Sequence, residues 1–248
     1  MESWTIESST AQSPLVDAVL QPVRGHMAFE SCVERLGSAI QLGIFEAGTK
    51  LPAERILAEK LQVSRATLRE AISALRAAGM VTTTRGRGGG TRVGLVENAR
   101  MPVPERNQDR QEEIGDILTF RQVIEPGACF AAASVTLPAS ARTLLTDSLS
   151  DVEGASEPAD YRQADARLHL AIASVCGSGQ LTQASGLIQA RIHEFLAEIP
   201  FLQRNIASSN HQHRTIVRAI LDHDAEAARA VMAEHCEATA ALLKGLLK

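Results

Sequence analysis

The sequence predicts a mostly α-helical protein in two parts: three helices closed by a two-stranded β-hairpin, then an all-α bundle of about six helices. Three observations carry this. Hydrophobic residues make up 45% of the 248-residue chain but aromatics only 3%, so the cores must be aliphatic and Ala-packed, which favours helices over a sandwich or barrel. Apolar residues recur at helical spacing through most of the chain. The clearest β signal is the β-branched run Val81-Thr82-Thr83-Thr84, separated from Thr91-Arg92-Val93 by a Gly-rich turn. The length allows two cores.

Each element follows in order. Residues 1–26 contain Ser, Thr and Pro without clear periodicity and read as a flexible tail. Phe29, Val33, Leu36 and Ile40 mark a first helix, stopped by Gly43. Pro52 opens a second, roughly Ala53 to Leu61. After Gln62-Val63, Ser64 is a good N-cap for a third helix that runs to about Ala78 and ends at Gly79. The hairpin that follows has a basic tip, Arg85-Gly86-Arg87-Gly88-Gly89-Gly90. Residues 27–96 therefore describe a winged helix-turn-helix. Residues 97–111 are polar, with Pro102 and Pro104, and read as a linker. Residues 112–248 are helical almost throughout, with breaks near 134–138, 154–158, 177–179, 200–209 and 222–224. Pro126 is expected to kink or break the helix that contains it.

The net charge of -4 hides an asymmetry. Residues 24–95 hold 11 basic and 6 acidic residues, whereas residues 96–248 hold 14 and 20. A basic module joined to an acidic one points to nucleic-acid contact by the first alone. The four cysteines are scattered without a C-x-x-C pair and read as buried apolar groups in a reducing compartment. No basic region followed by an apolar core opens the chain, and the uncharged stretch 168–190 is too polar to span a bilayer. The expectation is a cytoplasmic protein with no membrane partner.

The third helix has the layout of a base-reading helix. Leu68, Ile72 and Leu75 make its buried stripe, while Arg65 and Arg69 share another face one turn apart near its start. Residues there reach base edges in the major groove, and Arg can bond guanine bidentately. Ser64 and Thr67 can contact phosphates, favoured by the free N–H groups of the helix start. The glycines of the hairpin tip let backbone approach DNA closely, and Arg85 and Arg87 can enter a minor groove or meet phosphates.

A second constellation lies in the helical half. Asp165 and His169 are four apart and share a helix face. His213 and His235 each lie eleven residues from Asp224, which can cap the helix after the tight connection 221–226. A chain folded back at that point brings both histidines to one height on a helical hairpin. Three imidazoles and one carboxylate then converge on a candidate site for a divalent ion such as Zn, Ni, Mn or Fe. Four protein ligands on an octahedral ion leave two positions for water or a carboxylate, whereas a tetrahedral zinc would be closed.

Residues 51–79, together with Gly43, Gly48 and the Gly-rich turn, resemble the signature of GntR-family bacterial transcription regulators. The resemblance implies that Arg55, Arg65 and Arg69 contact the operator, with help from Thr67 and from the wing at Arg87 and Gly88. The second half is similar to the C-terminal (FCD) domain of the FadR subgroup, through residues 120–125, Asp165 to His169, His213 to Ile220, and Asp224 to His235. Many members of that subgroup bind a divalent metal through the Asp/His/His/His set. The resemblance also implies a homodimer on a two-fold symmetric operator. Arg121 matches an arginine that often clamps an effector carboxylate there. By its own chemistry it needs an anion, which Glu125, four residues on, could equally supply.

These readings converge on a ligand-responsive DNA-binding regulator, expected as a repressor, whose helical domain takes a metal and a small organic-acid effector. Two alternatives stand beside it. Three histidines and a carboxylate also resemble metal-dependent enzyme centres, although no separate general base is apparent and no enzyme is expected. A regulator with a purely structural metal is the other.

Overall fold

The structure, a computed structural model, describes residues 15–16, 20, 28–84, 89–94 and 107–247. The chain divides into two compact units, residues 1–104 and 105–248. The tail expected over 1–26 lies outside the described residues, apart from Leu15, Val16 and Leu20, which are buried. Among the described residues, no helix is long and apolar enough to cross a membrane.

The first unit contains α1 (Ala28–Gln41), α2 (Glu54–Leu61), α3 (Arg65–Ala77), β1 (Val81–Thr84) and β2 (Gly90–Val93). Ser64 caps α3 by accepting the Thr67 N–H at 3.0 Å. Gln62 closes α2 in the left-handed region (φ 53°), and Gly79 (φ 75°) takes the same region just beyond α3. Leu68, Ile72 and Leu75 of α3 are buried, as are Leu36 of α1 and Leu57 of α2, and α3 packs against both of those helices. The strands pair antiparallel with Val81 opposite Val93, both buried. On its other edge β2 is bonded to the approach to α2, through Leu51 N to Thr91 O and Val93 N to Thr49 O. The register of the hairpin thus places its two valines on the buried side.

The second unit is six helices: α4 (Asn107–Ala133), α5 (Ala139–Gly154), α6 (Pro158–Val175), α7 (Gly179–Ala197), α8 (Gln203–Leu221) and α9 (Ala225–Leu246). Its core joins Ile114 and Leu118 of α4, Ile188 and Ile192 of α7, and Leu243 of α9. Asp224 caps α9 by accepting the Ala227 N–H at 3.0 Å, and His223 (φ 62°) makes the sharp reversal between α8 and α9.

Two expectations bear on α4. α4 does not break at Pro126 but runs through it to Ala133. Proline in a helix interior costs about 3 kcal/mol. α9 packs along α4, where Gln111 donates to Leu247 O at 2.6 Å and Gln122 to Ala233 O at 3.2 Å, both ahead of the proline. The linker expected over 97–111 lies outside the described residues as far as 106, and from Asn107 the chain is already helical. The first turns of α4 are polar as far as Ile114, so they carry no apolar periodicity from which a helix could be read.

Candidate metal centre

Asp165 and His169 sit on α6, His213 on α8 and His235 on α9. All four are buried. One ligand atom from each lies within 4.8 Å of all the others. The hairpin symmetry about Asp224 brings the His213 and His235 rings to a centroid separation of 4.7 Å. The His169 ring is 5.5 Å from His213 and 5.1 Å from His235. Asp165 reaches both remaining imidazoles, with Oδ1 3.4 Å from His213 Nε2 and Oδ2 4.0 Å from His169 Nε2.

The donor set fits a divalent ion. Donors about 2.0–2.2 Å from a shared ion lie no more than about 4.4 Å apart, so these atoms need only small side-chain adjustments. Both ring nitrogens of His213 and both of His169 are buried without a hydrogen-bond partner. Such groups cost free energy unless something accepts their lone pairs or protons. Burial pushes the His213 imidazole down to about 4 against the opposing pull of Asp165. Burial, with His213 and His169 beside it, lowers His235 as well. Neutral imidazoles are the form that ligates.

A second layer of partners positions the ligands. His235 Nδ1 donates to Gln212 Oε1 at 3.2 Å, which fixes the tautomer and leaves Nε2 as the lone pair. Glu125 Oε2 lies 3.0 Å from His169 Nδ1 but without hydrogen-bond alignment. The same oxygen accepts from Arg121 Nε at 2.9 Å and from Cys236 Sγ at 3.5 Å, and Gln189 Nε2 donates to Glu125 Oε1. Burial alone would raise the Glu125 carboxyl, but the Arg121 guanidinium and His169 outweigh it and hold the group well below the usual carboxylate range.

Arg121 therefore has its internal salt bridge, yet Nη1 remains buried and unpartnered. It lines a cavity of about 280 Å³ whose wall also includes Asp165 and His235. The two anions weighed for Arg121 are thus not exclusive: Glu125 takes Nε, and Nη1 is left without a partner.

The other sequence-identified residues fall in the first unit. Ser64 and Thr67 sit at the start of α3, their hydroxyls 2.8 Å apart. Arg65 and Arg69 are exposed on α3 and Arg55 on α2. Arg55 bonds Glu59 at 2.8 Å and Arg69 bonds Glu54 at 2.7 Å, whereas Arg65 has no acidic partner among the described residues. Arg85, Arg87 and Gly88 lie outside the described residues. The second unit holds three further histidines: His211 is exposed, His193 is partly buried with its pKa lowered by burial, and His223 Nδ1 meets Ala133 O at 3.1 Å.

Sequence reasoning missed Gln189, Cys236 and Gln212 around the centre, and Tyr161, Arg162 and Arg204 on the cavity wall. A buried glutamine on α7 was a usable signal, since such a side chain must find polar partners.

Comparison with known proteins agrees with this architecture. Residues 29–93 match the family described as bacterial regulatory proteins, gntR family, and residues 116–238 match the FCD domain. The chain is 31% identical over 214 residues to the Mycobacterium gastri protein RmpR, named as an HTH-type transcriptional regulator, covering 83% of this chain and 76% of that one. It is 24% identical over 212 residues to the Bacillus subtilis HTH-type transcriptional regulator LutR, covering 83% and 96%. Among solved structures, E. coli McbR/YncC shares the fold with a TM-score of 0.53 at 18% identity, covering 89% of this chain and 99% of that one.

Proposed function

This chain belongs to the gntR family of bacterial regulatory proteins, with an FCD domain as its second unit, and from that premise we propose that it is a metal-dependent sensor of a small carboxylate. It is a transcription regulator; the metal, the effector, the homodimer and repression are the proposed parts. The observation that carries the proposal is one cavity wall holding two metal-ligand residues, Asp165 and His235, and an arginine with an unsatisfied buried nitrogen.

A divalent ion bound by Asp165, His169, His213 and His235 would supply a fixed positive charge, with open positions where an acid can coordinate. The chain's own groups do the rest. Arg121 Nη1 receives a carboxylate oxygen and ends its own unsatisfied state, while Glu125 holds the guanidinium in place through Nε. Gln212 holds His235 in the ligating tautomer. In the first unit, Arg55, Ser64, Arg65, Thr67 and Arg69, with Arg87 and Gly88 of the wing, meet the operator. In a homodimer two copies of α3 enter major grooves about 34 Å apart, and effector binding shifts their spacing so that they no longer fit both half-sites. The glutamate nearest the centre, Glu125, is bound to Arg121 and Gln189, which supports a sensor over an enzyme with a free general base.

The test is operator binding by fluorescence anisotropy, with a duplex selected from a random pool by the metal-loaded protein. A panel of two- to six-carbon acids is then added. The proposal expects at least one acid to weaken binding tenfold or more, and only with metal present. Metal-dependent melting with operator binding indifferent to every acid would make the ion purely structural.

A further inference from the structure

The cavity extends beyond Asp165 and His235 along three of the helices that line it, α6, α8 and α9. On α6, Arg162 lies seven residues before His169 and three before Asp165, on their face. On α8, Ser209 and Asn205 lie four and eight residues before His213, and Arg204 lies one further. On α9, Thr239 and Leu242 lie four and seven residues after His235. α8 and α9 form a hairpin, so these directions agree. Seven residues of helix span about 10 Å. The cavity wall thus runs from Asp165 and His235 along α8 and α9 to Arg204 and Leu242, with Arg162 one turn from Asp165 on α6.

The charges on its wall do not balance. The wall holds Arg121, Arg162 and Arg204 against a single carboxylate, Asp165. Glu125 already compensates Arg121 from behind, and Asp165 belongs to the metal. Arg162 and Arg204 have no ion-pair partner among the described residues. Arg162 is partly withdrawn from water, and burial lowers its guanidinium with no carboxylate opposing the shift. Arg204 stands in the first turn of α8, which has no acidic residue and whose N-cap, Leu202, offers no side-chain acceptor. Leu202, Arg204 and Asn205 all line the cavity, so the uncapped start of a 19-residue helix adds its positive end at the same place. The wall also holds apolar Leu196, Ile199, Phe201 and Leu242.

We propose that the effector is an extended acid with an anionic group at each end, the second held by Arg162, Arg204 and the start of α8. This rests on the reading that its first carboxylate meets the metal and Arg121. The second group is a carboxylate or a phosphate, since both match a pair of guanidiniums and free backbone N–H groups. At about 280 Å³ the cavity suits a small molecule, at the lower end of the usual size for ligand sites.

The experiment is isothermal titration of the metal-loaded full-length chain with hexanoate, adipate and 6-phosphohexanoate, which share a chain length and differ at the far end. The same titrations follow on R162Q, R204Q and the double variant, each checked for metal content and helicity. At least one doubly anionic probe is expected to bind ten times more tightly than hexanoate or better. Which probe gains identifies carboxylate or phosphate. The double variant is expected to reduce the advantage to less than threefold while hexanoate binding and metal content hold. If hexanoate binds and neither dianion improves on it, the second anion is wrong and the carboxylate reading stands. An advantage that survives in the double variant also overturns the proposal. If no probe binds the metal-loaded protein, both readings fall together.

Discussion

Arg121 Nε donates to Glu125 Oε2 at 2.9 Å, one turn along α4, with both side chains all but fully buried. A buried ion pair is expensive to assemble, and removing one partner is worse than removing both, because a lone charge is left in the core. Glu125→Ala is therefore expected to cost about 3–5 kcal/mol of stability. The double variant Arg121→Met with Glu125→Leu should recover most of it. Thermal melting by circular dichroism checks both. A double variant as unstable as the single would mean that the pair contributes more than its mutual compensation.

Gln212 fixes the ring of His235 from outside the ligand set. Gln212→Ala should weaken metal affinity by about 10–100-fold, as loss of such orienting partners typically does. Because Gln212 is only partly buried, the melting temperature of the metal-free protein should barely move. Competition with a chromophoric chelator reads the affinity directly. An unchanged affinity would leave the His235 tautomer with no influence on ligation.

Arg65 and Arg69 occupy one face of α3 but stand in different electrostatic states. Arg69 is bonded to Glu54, and Arg65 has no acidic partner among the described residues. Arg65→Ala is expected to cost about 1–3 kcal/mol of operator affinity and to relax preference at one base position. Arg69→Ala should cost less, since Glu54 must be released before Arg69 can engage DNA. Anisotropy with the selected operator compares the two, and equal losses would contradict the distinction.

Ser64 both caps α3 and faces the expected DNA surface. Ser64→Ala should lower stability by about 1 kcal/mol through loss of the Thr67 N–H acceptor. Ser64→Asp should keep the cap but repel phosphate. The pair of variants separates folding from binding, because only Ser64→Asp should melt normally yet bind operator poorly.

The features written into the sequence are those with local causes. Ser64 and Asp224 announce helix starts because each offers an oxygen to its own first turn, and both caps are formed. The clustering of the four candidate ligands was legible because an i,i+4 pair and a hairpin symmetric about Asp224 fix their relative heights before any tertiary contact is known. The continuation of α4 through Pro126 was not, because local propensity disfavours it and only tertiary context can override that. Nor were the roles of Gln189 and Gln212, which depend on side chains 64 and 23 residues away. Arg162 and Arg204 carry no signal in the sequence, since a wall shared between helices leaves no pattern along the chain.

The most direct test is the metal content of the purified full-length protein by elemental analysis, beside a His213→Ala, His235→Ala double variant. Both histidines are buried, and the His213 ring nitrogens have no partner, so helicity is measured in parallel to confirm that the variant folds. The account predicts about one divalent ion per chain in the parent protein and loss of it in the folded variant. No ion in the parent, even after incubation with Zn, Ni and Mn, would contradict it and leave Arg121 at the head of a metal-free pocket.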